Sequence, residues 1–194
     1  MIKRVGRPHS TTLVSDELTE KRRNRTMTNE FYLPDHWKKW ELEQLPIIPN
    51  PFELKTIPSS ISQYKHVKEL MNRSDVDEII VGTDAGREGE LIFRHVYNFS
   101  NCQKPFKRLW LNSLTREDIE KGFRNLKNGR AYDSLYDAAY GRQIADWLYG
   151  MNISRLLSLK YNTSLSYGRV QTPTLQMIVE RHNQLVNFKK TYTQ

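Results

Sequence analysis

Apolar residues recur at two distinct periods along the middle of this chain. In "SQYKHVKELMNR", residues 62 to 73, Tyr64, Val67, Leu70 and Met71 fall at helical spacing. The run "VDEIIVGT" follows, short, β-branched and bounded by charge, and predicts a buried strand. From 88 to 99, Leu91, Ile92, His95, Val96 and Phe99 share one helical face, so His95 is expected as a packed core histidine. "KRLWLNS" at 107 to 113 is a second strand candidate. "LTREDIEKGFRNLKNG" then predicts a helix with Thr115 as N-cap, Asp118 three residues on, Leu114 stapled against Ile119 and Gly129 as a left-handed stop. Strand, helix, strand, helix with short connections predicts an α/β unit with a parallel sheet.

The flanks differ. Residues 1 to 31 are polar, with "KRRNR" at 21 to 25, and predict a disordered basic arm. Residues 32 to 61 mix aromatics with prolines and predict an ordered, extended connector. A long helix is expected over roughly 133 to 150, where steps of three and four from Leu135 reach Ala138, Arg142, Ala145 and Tyr149. Arg142 on that stripe needs an anionic partner; Asp146, four residues on, and a phosphate remain equal alternatives. The last helix is expected to start with Thr172 as N-cap and Pro173 at its first position, with Leu175, Ile178, Val179, His182, Leu185 and Val186 on one apolar face.

Composition narrows the partners. The 194 residues carry 30 Lys and Arg against 22 Asp and Glu, a net charge of +8, which favours a polyanion. Cys102 is the single cysteine, excluding an internal disulfide and a multi-cysteine zinc site. No apolar window is long enough for a membrane span, and no secretory signal is readable, so a cytoplasmic protein without membrane contact is expected.

The chemistry concentrates at "VGTDAGREGE", residues 81 to 90. A parallel strand's carboxyl end is the ligand-facing edge of an α/β sheet, and the following helix aims its amide dipoles there. Asp84 and Glu88 can converge on one point, and carboxylate oxygens with waters suit Mg²⁺. Arg87 beside them can hold a phosphate. From spacing alone the acids serve equally well as ordinary residues of a helix N-terminus.

Four segments share a resemblance: "IIVGTDAGREGELIFR", "KRLWLNSLTREDIEKGFRNL", "YDAAYGRQIADWLYGMNISR" and "SLSYGRVQTPTLQMIVER" resemble, in order and spacing, the N-terminal half of type IA DNA topoisomerases, topoisomerase III above all. The proline-rich "WELEQLPIIPNPFELKTI" is similar to the segment ahead of that family's acidic motif. The resemblance implies a Rossmann-like Toprim domain with a short parallel sheet over residues 32–130, then the mainly helical start of a domain that grips single-stranded DNA over 131–194. It implies Mg²⁺-dependent isomerase chemistry: single-strand breakage by a tyrosine, passage and rejoining. By motif, Asp84 and Glu88 bind metal, Glu88 and Arg87 are catalytic, and Arg142, Arg155, Ser166, Tyr167, Gly168, Arg169, Val170 and Gln171 contact DNA. The acid pair and the arginine loop are expected to serve one cleft.

Three departures from that pattern carry expectations. Gly86 replaces the middle acid of Asp-x-Asp-x-Glu, so metal is held by two carboxylates. Residues 1 to 31 carry no "AEKPS"-like strand, so the sheet is expected to lose its first strand and expose an edge. No Tyr-x-Arg-Thr pattern is present, and Tyr192 is not nominated as the nucleophile. A truncated fragment completed by a second chain is therefore expected, with a non-catalytic DNA-binding remnant, or a Toprim nuclease or primase-like enzyme, as alternatives.

Overall fold

The computed structural model describes residues 2–5, 11–15 and 29–189, with side chains from residue 31 onward. Two compact units are present: residues 1–32 with 51–141, and residues 33–50 with 142–194. Among the described residues no helix is long and apolar enough to cross a membrane.

The first unit opens with strands β1 (Ile2–Val5), β2 (Thr11–Ser15) and β3 (Asn29–Phe31). Then follow β4 (Leu54–Thr56), α1 (Ile61–Asn72), β5 (Val76–Val81), α2 (Arg87–Phe99), β6 (Phe106–Arg108), α3 (Arg116–Arg124), β7 (Lys127–Asn128) and α4 (Asp133–Tyr161), which runs on into the second unit. β3 and β4 form a separate antiparallel pair. The main sheet has the order β1-β2-β5-β6-β7. Its centre, β2, β5 and β6, is parallel, while β1 and β7 add antiparallel edges. The sheet is thus mixed rather than purely parallel.

Strand alternation divides β5 between two cores. Ile79 and Val81 pack with Met71, Phe93, Tyr97, Cys102 and Phe106, beneath α1 and α2. Ile80 packs with Leu109, Leu111, Phe123 and Leu126 on the α3 side. Helices on both faces of a sheet explain why this strand reads as a continuous apolar run.

The N-terminal segment differs from the expected arm and the expected open edge. β2 pairs in parallel with β5, Leu13 opposite Ile79 and Val14 opposite Ile80, so β5 is flanked on both sides. That pairing satisfies backbone groups of β5 that an exposed edge would leave unpaired. The basic run 21–25 lies outside the described residues.

Other boundaries move for local reasons. The second strand ends at Arg108 instead of running to 113. Thr115 caps α3 as expected, its Oγ1 accepting from Asp118 N, but Leu114 is 81% exposed and makes no staple. Gly129 is not left-handed, since among the described residues no glycine has a positive φ. A Cβ there would lie 2.0 Å from the Phe106 ring, so the glycine is needed for close packing. His95 is buried edge-on against Tyr136 and Tyr140, the packed role expected of it.

α4 continues eleven residues beyond 150. It stops at Asn162, whose φ of 48° is left-handed, and Thr163 N donates to Ser158 O at 3.2 Å. That pairing is a Schellman stop built on asparagine. In the second unit α5 (Gln171–Val186) starts one residue before Thr172, with Val170 at the N-cap. Its apolar residues Leu175, Ile178, Val179, Leu185 and Val186 are exposed.

Candidate metal and nucleic-acid interface

In the first unit, the chain leaves β5 and reverses through 82–86 into α2. Gly86 is the N-cap and Glu90 N donates to its carbonyl, the first helical bond. A Cβ on Gly89 would lie 2.1 Å from Asp84 O, so the backbone of Asp84 rests directly on the first turn of α2. Only glycine allows that approach. Thr83 Oγ1 donates to Gly89 O at 2.8 Å and closes the turn from the other side. Asp84, Arg87 and Glu88 are all exposed around this point, at the positive end of the helix dipole. A side chain at Gly86 would meet nothing within 4 Å, so the space beside them is open.

Beneath the loop lies a buried charge network. The Arg108 side chain is fully buried; its Nη1 donates to Val81 O at 3.0 Å, Thr83 O at 2.8 Å and Leu109 O at 3.1 Å, and its Nη2 donates to Asp84 O at 2.6 Å. One guanidinium thus collects the carbonyls through which the strand becomes the acidic loop. Its charge is met by Glu90, Nε to Oε2 at 3.0 Å. Burial holds Arg108 below the usual arginine range, with Glu90 opposing that shift. Glu90, also fully buried, takes Arg94 Nε on its other oxygen at 2.8 Å. Arg94 in turn donates to Gly129 O at 2.9 Å and pairs with Asp133 at 2.7 Å.

Glu90 is therefore committed to two arginines, and the exposed carboxylates beside the loop are those of Asp84 and Glu88. Among the described residues no group of three or more His, Cys, Asp and Glu comes together as a metal site. Two exposed carboxylates beside open space fit a hard cation that keeps most of its waters, the behaviour of Mg²⁺.

In the second unit, α4 presents a face four residues apart to the loop 162–170. Ser158 Oγ donates to Leu165 O and accepts from Leu165 N, at 3.0 and 2.9 Å. Ser154 Oγ accepts from Tyr167 N at 2.8 Å and donates to Tyr167 O at 3.4 Å. Further along, Asp146 receives Arg169 Nε at 2.5 Å and lies 3.6 Å from Arg142 Nε. The Arg169 hydrogen bond holds Asp146 below its usual carboxylate range. The loop also ties itself internally: Gly168 N donates to Thr172 Oγ1 and Gln171 Nε2 to Ser166 Oγ. Asp146 thus joins Arg142 to Arg169, Ser154 holds Tyr167 to α4, and Ser166, Gly168 and Gln171 are tied within the loop, while Val170 is exposed.

Arg155 is not among them. It is 3% exposed, its Nη1 donates to Trp37 O at 2.6 Å, and its guanidinium sits 5.3 Å over Trp40. It anchors the proline-rich segment. Asn152 does the same at Ile47, accepting from its N–H at 2.5 Å and donating to its carbonyl at 2.9 Å.

The residues that sequence reasoning missed are Arg108, Glu90, Ser154 and Ser158. A four-residue serine step on the helix preceding the loop was available as a signal for the serines. Nothing local marks Arg108, because apart from the adjacent Leu109 carbonyl its partners lie 18 to 27 residues earlier.

Comparison with known proteins adds family evidence. The Toprim domain family matches residues 16–114, and the DNA topoisomerase family matches residues 130–193. DNA topoisomerase 3 of Staphylococcus epidermidis is 48% identical over 168 residues, covering 86% of this chain and 24% of that protein. DNA topoisomerase 3 of Bacillus cereus is 49% identical over 157 residues, covering 80% and 22%. The chain spans about a quarter of the length of these curated relatives. Full-length topoisomerase I from Thermotoga maritima shares the fold at a TM-score of 0.61 and 24% identity, over 84% of this chain and 26% of that one.

Proposed function

Because the chain belongs to the type IA DNA topoisomerases, as a topoisomerase III-like member, we propose that it supplies two of the enzyme's working parts: a divalent cation site and a grip on single-stranded DNA. Asp84 and Glu88 hold Mg²⁺, and Arg87 takes the phosphate beside it. When bound, the cation neutralises phosphodiester charge as the bond is exchanged. The observation that carries this part is the seating of the Asp84 backbone on the first turn of α2, beside the helix N-terminus, with the residue left exposed.

The second part is the loop of Ser166 to Gln171 with Arg142. Gly168 lets a phosphodiester approach the backbone, Arg169 supplies charge and Gln171 an amide, a sequence-tolerant grip. Asp146 holds Arg142 and Arg169 as a pair and yields to a phosphate that competes for them. Arg155 acts by fixing the segment beneath. We place the tyrosine nucleophile outside these motifs, so breakage and rejoining draw on a tyrosine that neither the acidic loop nor the loop of Ser166 to Gln171 supplies.

Fluorescence anisotropy with a labelled oligo-dT, titrated at several salt concentrations, tests the grip. Arg169→Ala should weaken binding and reduce the slope of log K against log salt by about 0.7. A slope equal to that of the unsubstituted protein would remove the loop from the interface.

A further inference from the structure

We propose that an open groove at the other end of the sheet from Asp84 is an additional contact for a nucleic-acid strand, separate from the acidic loop. The groove has a volume of about 400 Å³ and is lined by Lys104, Lys107 and Arg130 together with Glu78, Gln103 and Asn128. It lies within the first unit. Glu78 sits near the start of β5, six residues before Asp84, a span of up to about 20 Å of extended chain.

The charge balance is what points to a polyanion. Three cations face the groove and one carboxylate lines it. Lys107 Nζ is 3.2 Å from Glu78. Lys104 Nζ donates to the neutral carbonyl of Arg73. Arg130 is 3.9 Å from Asp133, a carboxylate already engaged by Arg94 at 2.7 Å, and its side chain stays 68% exposed. The Arg130 guanidinium stands 5.6 Å from the Phe106 ring, which orients it over the groove. Cations on a concave surface focus potential more than the same charges on a flat one.

The chemistry of the rim selects a strand over a lone anion. Lys104, Lys107 and Arg130 come from separate elements and are spread around an open groove, the arrangement for successive phosphates. The amides of Gln103 and Asn128 at its edge can meet base or sugar edges without demanding a sequence. In a protein that handles DNA, a second contact on the Toprim unit would extend the footprint beyond the loop around Arg169.

The test uses the full chain and oligo-dT of about 20 nucleotides, with folding of each variant checked by circular dichroism. The double variant Lys107→Ala/Arg130→Ala removes two exposed cations outside the metal and loop residues. Its salt slope should fall by about 1.4 relative to the unsubstituted chain. Gln103→Lys, which adds a cation at an exposed rim position, should raise the slope by about 0.7. A double variant that binds with unchanged affinity and slope overturns the proposal. If Arg169→Ala still lowers the slope in that case, the loop assignment stands and the groove alone is rejected. Displacement of the oligonucleotide from this groove by inorganic phosphate alone at low millimolar concentration, or equally well by polyglutamate, also overturns it.

Discussion

Replacing Glu90 by glutamine tests the buried network most sharply. Glu90 is completely inaccessible and stands between two guanidinium groups, 2.8 Å from Arg94 Nε and 3.0 Å from Arg108 Nε. Arg108 is itself fully buried and Arg94 nearly so. Glu90→Gln keeps the volume but removes the charge between them; Arg94 keeps Asp133, while the buried Arg108 loses the carboxylate it is paired with. Breaking a buried pair from one side costs about 3–5 kcal/mol. For a chain of this size each kcal/mol lowers the melting temperature by roughly 2–4 °C, so a fall of about 6–20 °C is expected. The matched control is Glu120→Gln. Glu120 also meets two arginines, Arg116 at 3.1 Å and Arg124 at 3.7 Å, but is half exposed, so its loss should cost under about 1 kcal/mol. Urea unfolding followed by circular dichroism gives both values. Equal, small effects for the two variants would refute the view that the Glu90 cluster pins the acidic loop through desolvated charge.

Two further outcomes follow from the same geometry. Gly129→Ala would place a Cβ 2.0 Å from the Phe106 ring and 2.9 Å from its carbonyl, an overpacking that should cost about 1–3 kcal/mol in urea unfolding; a neutral result would show that β6 shifts freely. Asp146, held below the ordinary aspartate value of 3.8 by the Arg169 hydrogen bond, binds fewer protons when folded than when unfolded. Its contribution is therefore present above about pH 4 and is lost as pH falls through its lowered folded value, so Asp146→Asn should flatten the acid limb of a stability–pH profile below that point; an identical acid limb would contradict the pairing.

How much of this was legible in the sequence depends on how local the physics is. α1, β5 and α2 follow from apolar period, and Thr115 from capping chemistry; both act within one turn or one strand. The family motifs nominated Asp84, Glu88 and the loop around Arg169. The segments at 2–5 and 11–15 read as too polar to order, because β2 pairs with β5, more than sixty residues away, and β1 pairs in turn with β2. Gly129 was assigned a conformational role when its need is steric, set by the Phe106 ring of β6. Arg155 carried the same basic signal as Arg142, yet Arg142 meets Asp146 one turn on, whereas Arg155 is claimed by the carbonyl of Trp37, 118 residues earlier. Arg108 was invisible for the same reason: its partners are carbonyls and a carboxylate brought to it by the parallel crossover.

The central claim is that Asp84, seated on the first turn of α2, holds a divalent cation. Titrating the full chain with Mn²⁺ as a paramagnetic stand-in for Mg²⁺, and counting bound ions by electron paramagnetic resonance, measures it directly. One site displaced by excess Mg²⁺, and lost in Asp84→Asn with folding intact, is the predicted result. Retention of that site in Asp84→Asn, or no saturable binding by the unsubstituted chain, would contradict it.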